Sequence, residues 1–262
     1  MNHRPVTSAK GGKTVYGSTV GMLMLDTVFP RIPGDFGNAV TWPFPVLYRV
    51  VRGASPDRVV RHRAEGLLDA FIDTGKALVA DGADGLSTTC GFLSLFQEEL
   101  TQAVNVPVAS SSLMQVPLVQ KLLPPDQQVG IITISRESLT AKHLLAAGAP
   151  QDTPVVGTEN GREFTRVILE DEQEMDVDAC RQDLLDELLG DGVGHVAGDE
   201  AGGHAVAGDG ARVVVVRVDR INADAGLSRR CSIYTYPCHD AFWRRPRRLY
   251  RQAQAYAGHI LS

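Results

Sequence analysis

"DGADGLSTTCGFLSLFQEEL", residues 81–100, sets a cysteine, Cys90, between a short apolar run and an apolar stretch of helical spacing. "GLSTT" reads as a strand and "FLSLFQEELTQAV" as a helix, because the apolar period changes from a short continuous run to one side of a helix. Cys90 therefore stands at a strand end and a helix start. The segments on either side repeat that layout.

Upstream, "TVYGSTVGMLML" (14–25) reads as a buried strand and leads into "DTVFPRIPGDFGNAVTWPFP" (26–45), a stretch crowded with Pro and Gly. Connections normally run about 4 to 6 residues, so this long loop is expected to face a substrate. A strand at "PVLYRVV" follows. Ser55 before Pro56 then marks the cap of a helix running through "SPDRVVRHRAEGLLDAFIDTGKALVADGA". Downstream come strand "VPVASSS", helix "LMQVPLVQKLL", strand "QVGIITIS", helix "ESLTAKHLLAAG", strand "TPVVGTE" and helix "GREFTRVILEDE". Regular alternation of this kind predicts an α/β fold of parallel sheets with helices on both faces.

The two prolines of "LPPDQQ" (123–128) stop a helix just before a new strand, which divides the chain into a first part, 1–125, and a second, 126–262. Residues 190–212, dominated by Gly, Ala, Asp and His, read as a loop or disordered insert. Beyond them "RVVVVRV" and "SIYTY" read as strands, and "AFWRRPRRLYRQAQAYAGHIL" as a basic C-terminal helix interrupted by Pro246.

The 262 residues are long enough for one large domain or two moderate ones. Charged residues make up 22% and the net charge is −5, so nothing draws the chain toward nucleic acid. The arginines at 229, 230, 244, 245, 247, 248 and 251 form a basic patch without an aromatic platform or binding motif and read as a solvated helix face. No apolar run has the length of a membrane span or the shape of a signal peptide, and the four cysteines are scattered, so the expected location is the cytoplasm. Cys231, Cys238 and His239, with His195 and His204, lack the spacing of a zinc site, so no metal is expected. "VYGSTVG" lacks the order of a phosphate loop, and no nucleotide is assigned.

The chemistry expected at Cys90 follows from its position. A helix start offers backbone N–H groups that lower a thiol pKa and bind a carboxylate or enolate oxygen, and Thr88, Thr89 and Ser94 add hydroxyls nearby. The competing reading is that Cys90 is a small buried hydrophobe.

"GMLMLDTVFPRIPGDFGNAVTWPFPVLYRVVRGASPDRVV", "ADGADGLSTTCGFLSLFQEEL", "VASSSLMQVPLVQKLLP", "VGIITISRESLT" and "GREFTRVILEDE" together resemble the aspartate/glutamate racemase superfamily over roughly residues 13 to 185. That resemblance implies two similar lobes, each a parallel sheet flanked by helices, with the active site in the cleft between them. It also implies chemistry without a cofactor, in which cysteines from each lobe flank the α-carbon of a small carboxylate or hydantoin, and it suggests a homodimer. Cys90 matches the first-lobe cysteine. The amides of Gly91 and Phe92 and the hydroxyls of Thr88 and Thr89 would meet the substrate carboxylate, with Thr133 and Ser135 facing them from the second lobe. Ser135 reads equally well as the cap of the helix at "RESLT".

The last third departs from the resemblance. Relatives carry their second cysteine a short way before a segment like "RINADAGL" (220–227), which puts it near Ala211, where this chain has none. Three explanations compete: Cys231 or Cys238 replaces it, one thiol suffices as in a decarboxylase or isomerase, or the reading frame has shifted around residues 190–220. A racemase-like enzyme acting through Cys90 is the expectation, with a non-catalytic relative as the alternative.

Overall fold

The apolar run Val20–Met24 forms β1, buried along nearly its whole length as an interior parallel strand must be. The computed structural model describes residues 10–18, 20–124 and 127–189, and the strand backbones of 214–219 and 232–234. In it, β1 pairs in parallel with β2 (Val46–Val50) on one side and with β3 (Gly85–Thr88) on the other. β3 in turn pairs in parallel with the short β4 (Val108–Ala109), giving the order β2-β1-β3-β4.

Ser55 caps α1 (Pro56–Val60) as its sequence predicts, its hydroxyl accepting the Arg58 N–H at 3.3 Å. The helix then stops. Arg63, Ala64 and Gly66 have φ of 54°, 55° and 72°, a left-handed stretch that no α-helix can contain. The single long helix expected here is therefore two, and the second, α2 (Leu68–Asp81), covers the sheet. The strand and helix approach closely at Gly21 of β1, where a Cβ would lie 3.2 Å from the Leu78 Cβ of α2 and 2.9 Å from Leu86 Cδ2 of β3. A larger residue at 21 would push the helix off the strand.

After β3 the chain makes a 3-10 turn, Gly91–Phe96, before α3 (Gln97–Ala103). After β4 a second 3-10 turn, Ser112–Gln115, leads into α4 (Val116–Gln120). The second sheet is built on β5 (Gln127–Thr133), parallel to β6 (Val155–Gly157) and joined to it through α5 (Ala141–Ala146). α6 (Phe164–Leu169) and α7 (Val177–Leu189) follow.

An all-parallel second sheet is not what forms. β7 (Val214–Asp219) lies antiparallel to β5, and β8 (Ser232–Tyr234) antiparallel to β7, in the order β6-β5-β7-β8. A run such as "RVVVVRV" reads as a strand in either direction, because burial and β-branching do not encode polarity. The fold is thus α/β, with a parallel first sheet and a mixed second one, flanked by helices. Buried apolar residues from both belong to one cluster, with Leu23, Phe71, Leu86 and Phe92 from one part and Ile131, Val156, Val167 and Ile168 from the other.

The insert at 190–212, Ala211, Cys231, Cys238, the histidines at 195, 204 and 239, and the basic C-terminal segment lie outside the described residues. Among the described residues, no helix is long and apolar enough to cross a membrane.

Candidate active site around Cys90

β3 ends at Thr88, and the next five residues are held by a dense set of bonds. The Thr88 hydroxyl accepts the Cys90 N–H at 3.2 Å and donates to the Ser110 carbonyl at 2.7 Å. Thr89 N–H bonds the Leu23 carbonyl of β1 at 3.2 Å, and its hydroxyl accepts Leu25 N–H at 3.3 Å. Ser111 donates to the Gly91 carbonyl at 2.6 Å. The two threonine hydroxyls expected to meet a substrate are thus occupied in aligning the strand end with its neighbours.

Cys90 is 2% exposed and opens the 3-10 turn with extended backbone, without capping it through its side chain. The expected α-helix start is a 3-10 turn instead, so the dipole available at Cys90 is that of a short turn rather than of several aligned helical turns. Phe92 is fully packed, its ring edge-on to His143 of α5 at 5.2 Å and 80°. Ser94, on the same turn, has a fully buried hydroxyl with no partner among the described residues.

The second group of expected residues sits at the carboxyl end of β5. Thr133 is buried beside Gly157 of β6, and its hydroxyl also lacks a partner among the described residues. Leaving such a group unpaired costs about 1 to 3 kcal/mol, which marks Thr133 and Ser94 as places where a ligand could supply the missing bond. Ser135 differs. Its hydroxyl donates to the Ser138 hydroxyl at 2.9 Å and accepts Ser138 N–H at 3.3 Å, so it caps the turn that follows β5.

His143 was not legible as a site residue. Its Nδ1 accepts the Thr140 N–H at 3.1 Å in a capping box, so the proton of the neutral ring sits on Nε2, which is buried without a partner among the described residues. Burial, only partly offset by the Thr140 bond and reinforced by Arg63, pushes its pKa down to about 4. The "TAKH" spacing is the one available signal, since His takes the place that Glu or Gln usually fills in such a box.

The loop 26–45 has a core of its own. Arg31 pairs with Asp35 at 3.1 Å and lies over the Phe29 ring, 4.6 Å from its centre. Trp42 Nε1–H and the Tyr48 hydroxyl both donate to the Phe36 carbonyl, at 3.1 and 3.0 Å. The Val28 and Phe29 amides reach across to the Asp171 carboxylate, at 2.7 and 3.0 Å.

Cys180, the other described cysteine, is fully buried in α7. Burial first, then Glu163, Asp183 and Asp176, push its thiol up to about 12, so it packs rather than reacts. Among the described residues, no three His, Cys, Asp or Glu side chains gather to share a metal ion.

No protein-family profile matches the chain. Among curated proteins it is similar to dimethylsulfoniopropionate lyase 7 of Emiliania huxleyi (strain CCMP1516), 30% identical over 130 residues, covering 46% of this chain and 36% of that protein. It is 29% identical over 165 residues to dimethylsulfoniopropionate lyase 6 of the same organism, covering 60% of this chain and 43% of that protein. A dimethylsulfoniopropionate lyase of Durusdinium sp. clade D is 26% identical over 133 residues, 48% of this chain and 42% of that protein. The matches thus span about a third to two fifths of these relatives' lengths.

These matches correct the racemase reading. The relatives carry the name of a lyase, an enzyme that breaks a bond and expels a group, whereas a racemase returns a proton to the same carbon. The isomerase assignment, the racemisation of an amino acid or hydantoin and the paired-cysteine scheme fall with it, and the decarboxylase or isomerase variant gains no support. The homodimer rested on the same resemblance. The motifs describe a strand end, a turn and the helices that follow, and local sequence of that kind does not distinguish one reaction from another.

Proposed function

We propose that this chain cleaves dimethylsulfoniopropionate, with Cys90 as the base. The observation that carries the proposal is the similarity to curated lyases of that name, extending over as much as 60% of the chain. The site's chemistry suits such a substrate. Dimethylsulfoniopropionate carries a carboxylate, an acidified carbon next to it, and a dimethylsulfonium group on the following carbon.

In the proposed step the Cys90 thiolate takes the proton α to the carboxylate. The C–H electron pair becomes the new C=C bond, and the C–S bond breaks with its electrons staying on sulfur. Acrylate and neutral dimethyl sulfide result, and the proton remains on Cys90 until solvent removes it. The leaving group needs no proton, so a single acid–base residue is enough. A second cysteine, which racemisation would demand, has no task here.

The carboxylate must be held while negative charge develops beside it, and preorganised uncharged donors do this best in a site closed to water. The amides of Gly91 and Phe92 and the unpaired hydroxyl of Thr133 are the proposed donors. Thr88 and Thr89 hold the strand end, and Ser135 holds the turn after β5. In this reading residues 1–125 and 126–262 act as two lobes with the substrate between the carboxyl ends of β3 and β5.

The test is to incubate the purified full chain with dimethylsulfoniopropionate, follow dimethyl sulfide in the headspace, and follow acrylate by proton NMR. Equal amounts of both are expected, with a loss of about 100-fold or more in Cys90→Ala. No product from the native chain, or equal rates from the two proteins, would overturn the proposal.

A further inference from the structure

α6 ends in a Schellman motif, with Glu170 as C-cap and the Glu172 N–H returning to the Val167 carbonyl at 3.0 Å. The residue after the cap must then be left-handed, and Asp171 is, with φ 55°. Glycine is the usual occupant of that position because it alone adopts the conformation without steric cost. The chain keeps an aspartate there.

What the aspartate adds is visible in its bonds. One carboxylate oxygen accepts two successive amides, Val28 at 2.7 Å and Phe29 at 3.0 Å, from a segment more than 140 residues away in sequence. The limb they belong to is anchored on either side. Asp26 N–H bonds the Ala54 carbonyl at 3.0 Å, and Arg31 pairs with Asp35 at 3.1 Å. Between those anchors, Thr27–Pro30 is fastened to the second half through Asp171. Val28 points to solvent while Phe29 is buried in the shared core. The limb starts beside the site, since Leu25 N–H bonds the Thr89 hydroxyl next to Cys90. A neighbouring link, Arg61 to Glu170 at 3.1 Å, ties the end of α1 to the same helix end.

We propose that Asp171 is a positioning residue that accepts a strained backbone in order to clasp the Thr27–Pro30 limb, with Phe29 as its buried plug, over the strand end that carries Cys90. Cys90 is 2% exposed in this closed arrangement, and in this proposal reagents and substrates reach it when the limb lifts. The clasp sets how often that happens. Its kinetic consequence rests on the lyase reading, but its structural consequence does not.

The test compares Asp171→Gly with Asp171→Asn in the full chain. Glycine suits the left-handed position and removes the acceptor, whereas asparagine tolerates that backbone and keeps an oxygen in place. For Asp171→Gly we expect an unchanged or higher melting temperature, lost hydrogen-exchange protection at Val28 and Phe29, and Cys90 alkylation by iodoacetamide about tenfold faster, read by peptide mass spectrometry. KM for dimethylsulfoniopropionate should rise more than kcat changes, and Asp171→Asn should restore native behaviour in each measure. Native-like exchange and alkylation in Asp171→Gly would overturn the clasp, as would an Asp171→Asn variant as loose as glycine. If the native chain does not cleave dimethylsulfoniopropionate, the lyase reading fails while exchange and alkylation still decide this one.

Discussion

The ring of His143 stands edge-on to that of Phe92, 5.2 Å away, and so joins α5 to the turn that Cys90 begins. Burial without a counter-charge keeps the imidazole uncharged there.

Acid stability should report this. The pKa of His143 is lowered by burial from 6.5 to about 4, so the unfolded chain binds the proton more readily than the folded one. Its contribution is complete above pH 6.5 and is lost as pH falls toward 4, by at most roughly 3 kcal/mol. Urea unfolding at pH 7 and pH 4.5 should show this loss. His143→Asn, which can still accept the Thr140 N–H, should be less stable at pH 7 but should lose less on acidification.

Asp183 should matter for stability more than its place on an acidic helix suggests. Its carboxylate accepts the amides of Arg162, Glu163 and Phe164 at 2.9, 2.7 and 2.8 Å, capping α6 from α7. Burial works to raise its pKa, but the three backbone bonds outweigh it and hold the carboxylate below its usual range. Its contribution is therefore present above the unfolded pKa and disappears as pH falls through the folded one. Asp183→Ala should cost about 2 to 3 kcal/mol in urea unfolding at pH 7, and a cost under about 0.5 kcal/mol would refute the capping role.

Thr133 offers a separation of stability from function. Its hydroxyl is buried without a partner among the described residues, so Thr133→Val should stabilise the fold by about 1 kcal/mol. If that hydroxyl binds the substrate carboxylate, the same change should raise KM for dimethylsulfoniopropionate by about tenfold while Thr133→Ser stays near native. A Val variant with native KM would remove Thr133 from the site.

The two buried cysteines should part company. Cys180→Ala, which removes a thiol held at about 12, should leave product formation within about twofold of native, whereas Cys90→Ala should abolish it. Headspace measurement of dimethyl sulfide from both variants checks this directly.

Much of the architecture could be read before any coordinates. The Ser55-Pro56 cap, a strand within residues 14–25, of which Val20–Met24 forms, and the placement of Cys90 just past the end of β3 follow from local rules, because capping chemistry and apolar period act over a few residues. The break at Arg63 and Ala64 was hidden, since neither residue advertises a left-handed backbone. The direction of β7 was hidden because pairing is a long-range choice. In the site, Thr88 and Thr89 stand out as hydroxyls where the apolar strand run ends, yet their bonds to Ser110 and Leu25 depend on neighbours that only the fold supplies. Asp171 and Asp183 were missed for the same reason: each acts on backbone far away in sequence, and nothing in "EDEQEMDVDACRQD" distinguishes a clasp or a cap from solvated charge.

The order in which the chain is made gives the Asp171 clasp a further meaning. All four strands of the first sheet lie within residues 20–109, so the Cys90 strand end can assemble early on the ribosome. The carboxylate that fastens Val28 and Phe29 is sixty-odd residues further on, at position 171. At a synthesis rate of about 5 to 20 residues per second, several seconds pass before it emerges. During that interval the Val28 and Phe29 amides lack the carboxylate that accepts them in the finished protein.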